Sequence, residues 1–381
     1  MPEVWLGYGR VEVAVEIKRD RLGQIFEDSL PGTDIEQCAK ALESLKELET
    51  VNMIAGDAEV STSKFIIDLA DSLAPTKINL HSTDELLKQL KRELQDKPIT
   101  YTRVEKEQYS VGVVDGIDLK LPLIFSRKDL YLVSTVGYHP LFGFSGGPVS
   151  LLTLTGGNMT LEAIKRESEL KPSPGKETSA GWFANRVAEE LGELKAIEAL
   201  PGKNGFSRIY VDSVVNAHKK SCADLLEHSM RKIGGKVLLA VSSPGEEEKC
   251  RTLNSALNSL WNILPALDVE ASVVIFAEAK DGLGSEALLK YVYSGLDVKG
   301  KIKKGEYVNG LENLFYLLNY GSKYDLGFLT TLPKTFIEKR FGFKSFPTGN
   351  AAVNYLISKS EDRKRKVTVL KRGDKTLLSE G

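Results

Sequence analysis

The chain has 381 residues, more than a single hydrophobic core usually serves, so its length predicts two domains. Hydrophobic residues make up 42% and charged residues 27%, a globular balance that excludes collagen, coiled-coil and disordered classes. Lys+Arg 51 against Asp+Glu 52 leaves a net charge of −1, so no overall field draws the protein to nucleic acid or to an anionic membrane.

In chain order, the opening MPEVWLGYGRVEVAVEIKRD alternates polar and apolar residues and reads as strand, with 10–17 a half-exposed strand near a sheet edge. It lacks the apolar centre of a signal peptide, and no apolar run approaches the ~20 residues of a membrane helix, so the cytoplasm is the expected location. Apolar residues at helical spacing predict a helix over 34–48, then a strand over 51–56, a helix over 64–74, a strand over 77–81 and a charged amphipathic helix over 83–94. This alternation predicts a parallel sheet covered on both faces. DLYLVSTVGY, 129–138, is a further strand. After a first α/β domain through residue 233, a second is expected over 234–362: a strand over 234–245, a helix over 246–264, strand, glycine turn and helix over 271–292, and further units from 324. The tail, 363–381, reads as a hairpin. The fold class is therefore α/β, two domains with mainly parallel sheets.

In open α/β sheets a ligand sits beyond the carboxyl ends of the strands, and Asp57, His81 and His139 each follow a predicted strand. His139 precedes Pro140, which biases it toward extended backbone; it suits a general acid or base, and equally a histidine held by hydrogen bonds in a loop. Ser145-Gly146-Gly147 exposes backbone N–H groups that suit an anion or a cofactor phosphate, and also suits a tight turn. Asp281 in Asp281-Gly282-Leu283-Gly284 is expected to cap the following helix. His218 and His228 have no carboxylate or cysteine in metal-ligand spacing and read as a solvated helix face. Cys38, Cys222 and Cys250 form no close pair and read as reduced core thiols. No metal ligands are assigned. The chain has no nucleophile elbow, Walker A loop or dinucleotide fingerprint, so a hydrolase or triphosphatase reading has nothing to rest on.

YHPLFGFSGG after the Asp129-Leu130 strand, together with AKDGLGSEAL in the second domain, resembles the nickel-pincer lactate racemase family. WLGYGRVEVAVEI, AGDAEVSTSK, INLHSTDELLKQL and KVTVLKRGDKTLL are similar to further segments of it. The resemblance implies two α/β domains with a site in the cleft between them. There a nickel-bearing pyridinium mononucleotide would take hydride from the α-carbon of a 2-hydroxy acid while two histidines handle the hydroxyl proton. By position His81 and His139 match those histidines, and Asp57, Ser145, Gly146 and Gly147 match the cofactor cradle.

Several family residues are replaced. The tethering lysine falls on Val149, ten residues after His139, with Pro148 before it and no histidine in 151–167 to ligate the metal. The arginine that clamps the substrate carboxylate falls near Val60, and the second domain's glutamine and lysine fall on Ser255 and Asn258. Two functions follow as expectations. One is a racemase or epimerase acting on a 2-hydroxy acid or a related hydroxyl-bearing molecule. The other is a non-catalytic paralogue that binds a small molecule or serves as a partner subunit, a homo-oligomer or a related chain being the expected assembly.

Overall fold

The computed structural model describes residues 2–27, 30–56, 60–84, 86–87, 90, 99–105, 107–155, 157–167, 171–203, 205–359 and 365–381. Asp57 therefore lies outside the described residues, as does most of the helix expected over 83–94. Contacts divide the chain into two compact units, one of residues 1–29, 168–174 and 229–381, the other of residues 30–167 and 175–228.

The first unit opens with the hairpin β1 (Glu3–Gly7) and β2 (Glu12–Glu16), followed by β3 (Leu22–Phe26). The second unit then begins with α1 (Ile35–Lys46), whose N-cap Asp34 accepts the Gln37 N–H at 3.1 Å. Cys38, Leu42 and Leu45 recur at helical spacing and are its buried residues. The central strand β4 (Thr50–Ala55) is buried from Val51 onward, as a parallel strand covered on both faces must be. Next come α2 (Val60–Leu73), β5 (Lys77–Ser82), β6 (Ile99–Arg103), the hairpin β7 (Gln108–Val114) and β8 (Ile117–Pro122), β9 (Leu130–Thr135), and the short hairpin β10 (Gly137–His139) and β11 (Gly143–Ser145). Helices α3 (Gly147–Thr153), α4 (Asn158–Arg166) and α5 (Ser179–Glu190), strands β12 (Lys195–Gly202) and β13 (Gly205–Ser213), and α6 (Val214–Ser229) complete this region.

Its six-stranded sheet has the order β13-β12-β9-β4-β5-β6, with β13 antiparallel to β12 and the other pairs parallel. Met53, Phe65, Leu69, Leu80, Val133 and Ile197 form its core with α1 and α2. Each such side chain, fully buried, contributes about 1.5–3 kcal/mol of apolar transfer energy.

The first unit's own six-stranded sheet is parallel throughout, in the order β18 (Lys344–Phe346), β17 (Asp325–Leu329), β16 (Leu267–Phe276), β15 (Val237–Ser242), β19 (Val367–Leu370), β3. The opening hairpin contributes Val4, Leu6, Val15 and Ile17 to the core under that sheet. The two tail strands do not form a hairpin. β19 lies between β15 and β3, whereas β20 (Leu377–Glu380) pairs in parallel with β14 (Met230–Ile233). Asn262 Nδ2 donates to the carbonyls of Gly373 and Asp374 at 2.9 and 2.8 Å, anchoring the turn between β19 and β20.

The helix expected over 246–264 is also broken. Thr252 caps a short helix, Leu253–Ala256, by accepting the Ser255 N–H, so the segment restarts at Thr252 instead of running through it. Asp281 does not cap the next helix, α7 (Glu286–Ser294); Ser285 does, while Asp281 pairs with Arg251 at 2.5 Å.

Candidate functional site in the second unit

His81 lies on β5, opposite Ile54 of β4 and Thr102 of β6. Strand alternation places it on the same face as Asn79, which donates to Asn52 Oδ1 at 3.0 Å, while Asn52 donates in turn to Asp129 at 2.5 Å. Burial holds the His81 imidazole below its usual range, and the Arg127 guanidinium adds to this against the opposing pull of Asp129. His81 thus answers electrostatically to groups at the amino end of β9. His139 lies beyond the carboxyl end of β9, at the tip of the β10–β11 hairpin opposite Gly143. Its Nδ1 accepts N–H bonds from Leu141 at 3.1 Å and Phe142 at 3.3 Å, and the ring packs against Phe142 with centroids 5.0 Å apart. Nδ1 is the acceptor, so in the neutral imidazole the proton sits on Nε2. No hydrogen bond or ring contact among the described residues joins the two histidines.

The glycine turn faces a different partner. Gly146 has φ 104°, and a Cβ there would lie 2.2 Å from Glu198 Oε1. Gly143, at φ 80°, is pressed even more closely, with a Cβ position 1.8 Å from the Lys176 carbonyl oxygen. The N–H of Gly147 donates to Ser134 Oγ at 2.9 Å, and those of Val149 and Ser150 turn back to the Gly146 carbonyl at 2.8 and 3.1 Å. The Gly147 N–H and the first amides of α3 are thus spent inside the fold, beside a buried carboxylate.

Glu198 is fully buried on β12 and gathers three side chains. His218 Nδ1 lies 3.1 and 3.3 Å from its two oxygens, Ser221 Oγ donates to Oε2 at 3.0 Å, and Ser134 Oγ reaches Oε1 at 3.4 Å. A carboxylate only accepts, so His218 Nδ1 carries a proton. On the other side of the ring, Nε2 lies 3.4 Å from Cys222 Sγ. Burial opposes the charged imidazolium, but Glu198, with Cys222, more than offsets it and lifts His218 to about 10. Burial pushes the Cys222 thiol up, with His218 working the other way.

His218 is therefore not on a solvated face. Val214, Ala217, Ser221 and Leu225 are the buried stripe of α6, and His218 falls within it at helical spacing. That stripe, and the single acidic residue in the apolar run AIEAL, 196–200, were the signals that sequence reading passed over. Cys38 and Cys250 are buried core thiols, whereas Cys222 is only partly buried.

Cys222 and His218 line a cavity of about 450 Å³ whose walls also include Phe142, Phe144, Val149 and Trp182. Lys176, Glu177, Thr178, Asn185 and Lys219 supply the rest of its polar lining. This is the size and mixture of a small-molecule site. Among the described residues no group of three or more His, Cys, Asp or Glu side chains is arranged to hold a metal ion, and no helix is long and apolar enough to cross a membrane.

These features define an α/β protein of two units, each built on a six-stranded, mainly parallel sheet. No family model matches the chain, and no curated protein matches it. Among solved structures, the lactate racemase apoprotein from Thermoanaerobacterium thermosaccharolyticum is similar at a TM-score of 0.80 and 15% identity, with 100% of both chains covered. A structural-genomics target protein from Thermotoga maritima is similar at a TM-score of 0.62 and 13% identity, with 91% of this chain and 97% of that one covered. The fold is thus lactate racemase-like.

Proposed function

We propose that this chain uses a lactate racemase-like fold to bind a small molecule in the cavity of the second unit, without a nickel-pincer group. The wall around Val149 carries this reading. The position that resemblance assigns to the tethering lysine is an aliphatic side chain on the cavity wall, and the neighbouring glycine turn packs against Glu198. A turn whose Gly147 amide is bonded to Ser134 and whose Gly146 lies against a buried carboxylate does not fit a phosphorylated nucleotide, since the anion would meet a like charge and few donors. The residues present suit a ligand with an apolar body, against Phe142, Phe144 and Trp182, and a polar or anionic end toward Lys176 or Lys219.

Two measurements test this. Protein co-expressed with the cofactor-synthesis proteins of a lactate racemase is expected to keep its native mass and to carry nickel far below stoichiometry; stoichiometric nickel overturns the reading. A panel of aromatic and aliphatic monocarboxylates and aldehydes is expected to raise the Tm of the wild type but not of Val149→Trp, whose indole fills the cavity.

A second reading keeps His81 and His139 as an acid/base pair for racemisation or epimerisation at a hydroxyl-bearing carbon. The sheet order favours it in one respect: β9 and β5 both flank β4 in parallel, so their carboxyl ends share one edge of the sheet. A His81→Ala, His139→Ala variant that retains full activity on a 2-hydroxy acid turned over by the wild type would remove it.

A further inference from the structure

Cys222, His218 and Glu198 form a line of thiol, imidazole and buried carboxylate, and its thiol end lines the cavity. In a nucleophile relay a base lies within reach of the nucleophile and a third group fixes the base's tautomer and stabilises its charged form. Here the carboxylate fixes Nδ1–H, which leaves Nε2 as the atom that exchanges a proton with Sγ. Ser221 and Ser134 hold the carboxylate in turn, and the Gly147 N–H holds Ser134. The other two cysteines have no such arrangement: Cys38 Sγ bonds to the Ser207 carbonyl at 3.4 Å, and Cys250 is fully buried with its thiol pushed up to about 12.

We propose that Cys222 is a nucleophile that adds to the carbonyl carbon of a small aldehyde held in this cavity, with His218 as its proton-transfer partner and Glu198 as the positioning residue; this rests on the cavity being a ligand site. In the reactive form the thiol has given its proton to solvent and the thiolate faces the His218 imidazolium; as the C–S bond forms and the carbonyl π bond breaks, Nε2–H passes its proton to the new oxyanion, and the imidazole then takes a proton back from solvent. The product is a hemithioacetal. Nothing is oxidised or reduced, no group leaves, and the same path reverses the addition. Phe142, Phe144 and Trp182 would hold the aldehyde's apolar body. Lys219 and Lys176, with Glu177, are the charged side chains of the cavity lining outside the relay.

Brief iodoacetamide treatment of the folded protein, read by peptide mass spectrometry, separates the three cysteines. Cys222 is expected to label about tenfold or more faster than Cys38 and Cys250. His218→Gln is expected to slow Cys222 about tenfold and move its rate-against-pH curve to higher pH, because burial still pushes the thiol up and the imidazolium no longer works against it. Glu198→Gln, which keeps the side chain's shape, should shift the same curve. Excess 3-phenylpropanal should protect Cys222 reversibly in the wild type. Labelling of Cys222 no faster than Cys38 and Cys250, or an unchanged pH curve in a folded His218→Gln protein, overturns the nucleophile. Fast labelling without protection by the aldehyde overturns the carbonyl chemistry. Failure of the cavity reading shows separately, as a Val149→Trp protein with undiminished ligand-induced Tm shifts.

Discussion

Each unit contains a buried carboxyl group, and the two are treated in opposite ways. Glu198 in the second unit is surrounded by donors, an imidazole and two hydroxyls, and none of these is claimed by another acid. Asp374 in the first unit has cations beside it, but they are already engaged: Lys375 and Arg372 bond to Glu246 at 2.5 and 3.2 Å. Its Oδ1 is buried without a hydrogen-bond partner. Burial therefore lifts the Asp374 carboxyl to about 7, with Lys375 opposing and Glu246 reinforcing the shift. Burial alone does not decide how an acid is held inside a protein; the donors left over after other acids are served decide it. Where the donors include an imidazole that also reaches a cavity, the carboxylate has a chemical outlet, and Asp374 has none.

The largest expected effect comes from removing the better-served acid. Glu198→Ala leaves His218 buried without its counter-charge and should cost about 3–5 kcal/mol in urea unfolding. Gly146→Ala follows, at about 2–3 kcal/mol, because it adds both a methyl against Glu198 and a side chain at φ 104°. Both variants break the comparison from the Glu198 side. Asp374→Asn approaches it from the other and should raise stability above pH 7 by about 1–3 kcal/mol, since the amide needs no proton to be neutral.

The pH dependence sharpens the contrast. The folded Asp374 holds its proton up to about 7 while the unfolded chain releases it near 3.8, so this contribution is full below 3.8 and is lost as pH rises toward 7. His218 binds its proton up to about 10 when folded and 6.5 when unfolded, so its contribution is full below 6.5 and is lost between there and 10. Stability measured against pH should fall in two windows, with Asp374→Asn reducing the lower, to which the buried Glu312 carboxyl, lifted by burial to about 6, also contributes, and Glu198→Gln removing the upper. The smallest effect is expected at the surface. Arg127→Ala breaks a pair with Asp129 whose side chains are 44% and 59% exposed, and should cost under about 1 kcal/mol while raising the pKa of His81 as read by NMR.

The α/β class and the strand–helix alternation of residues 34–81 were legible because period-two and period-3.6 patterns answer directly to burial. The lactate racemase-like fold was legible in short motifs around His139 and Asp281. What the pattern could not supply was pairing over distance. Glu198 and His218 sit twenty residues apart on different elements, and their meeting explains the glycine turn more directly than any ligand does. The tail misled for the same reason: two short apolar strands around Arg372-Gly373-Asp374 have hairpin spacing, but each is claimed by a different parallel neighbour.

The parallel pairing of β3 with β19 joins Leu22 to Val367. During synthesis, at roughly 5–20 residues per second, that early strand waits roughly 20–70 s for its neighbour to leave the ribosome. The β4-to-β13 sheet has all its strands by residue 213 and can settle well before then. Nascent chains stalled between residues 230 and 360 should therefore protect the later-starting unit from protease and leave the amino-terminal strands open to chaperones, an order of maturation that runs against the order of translation.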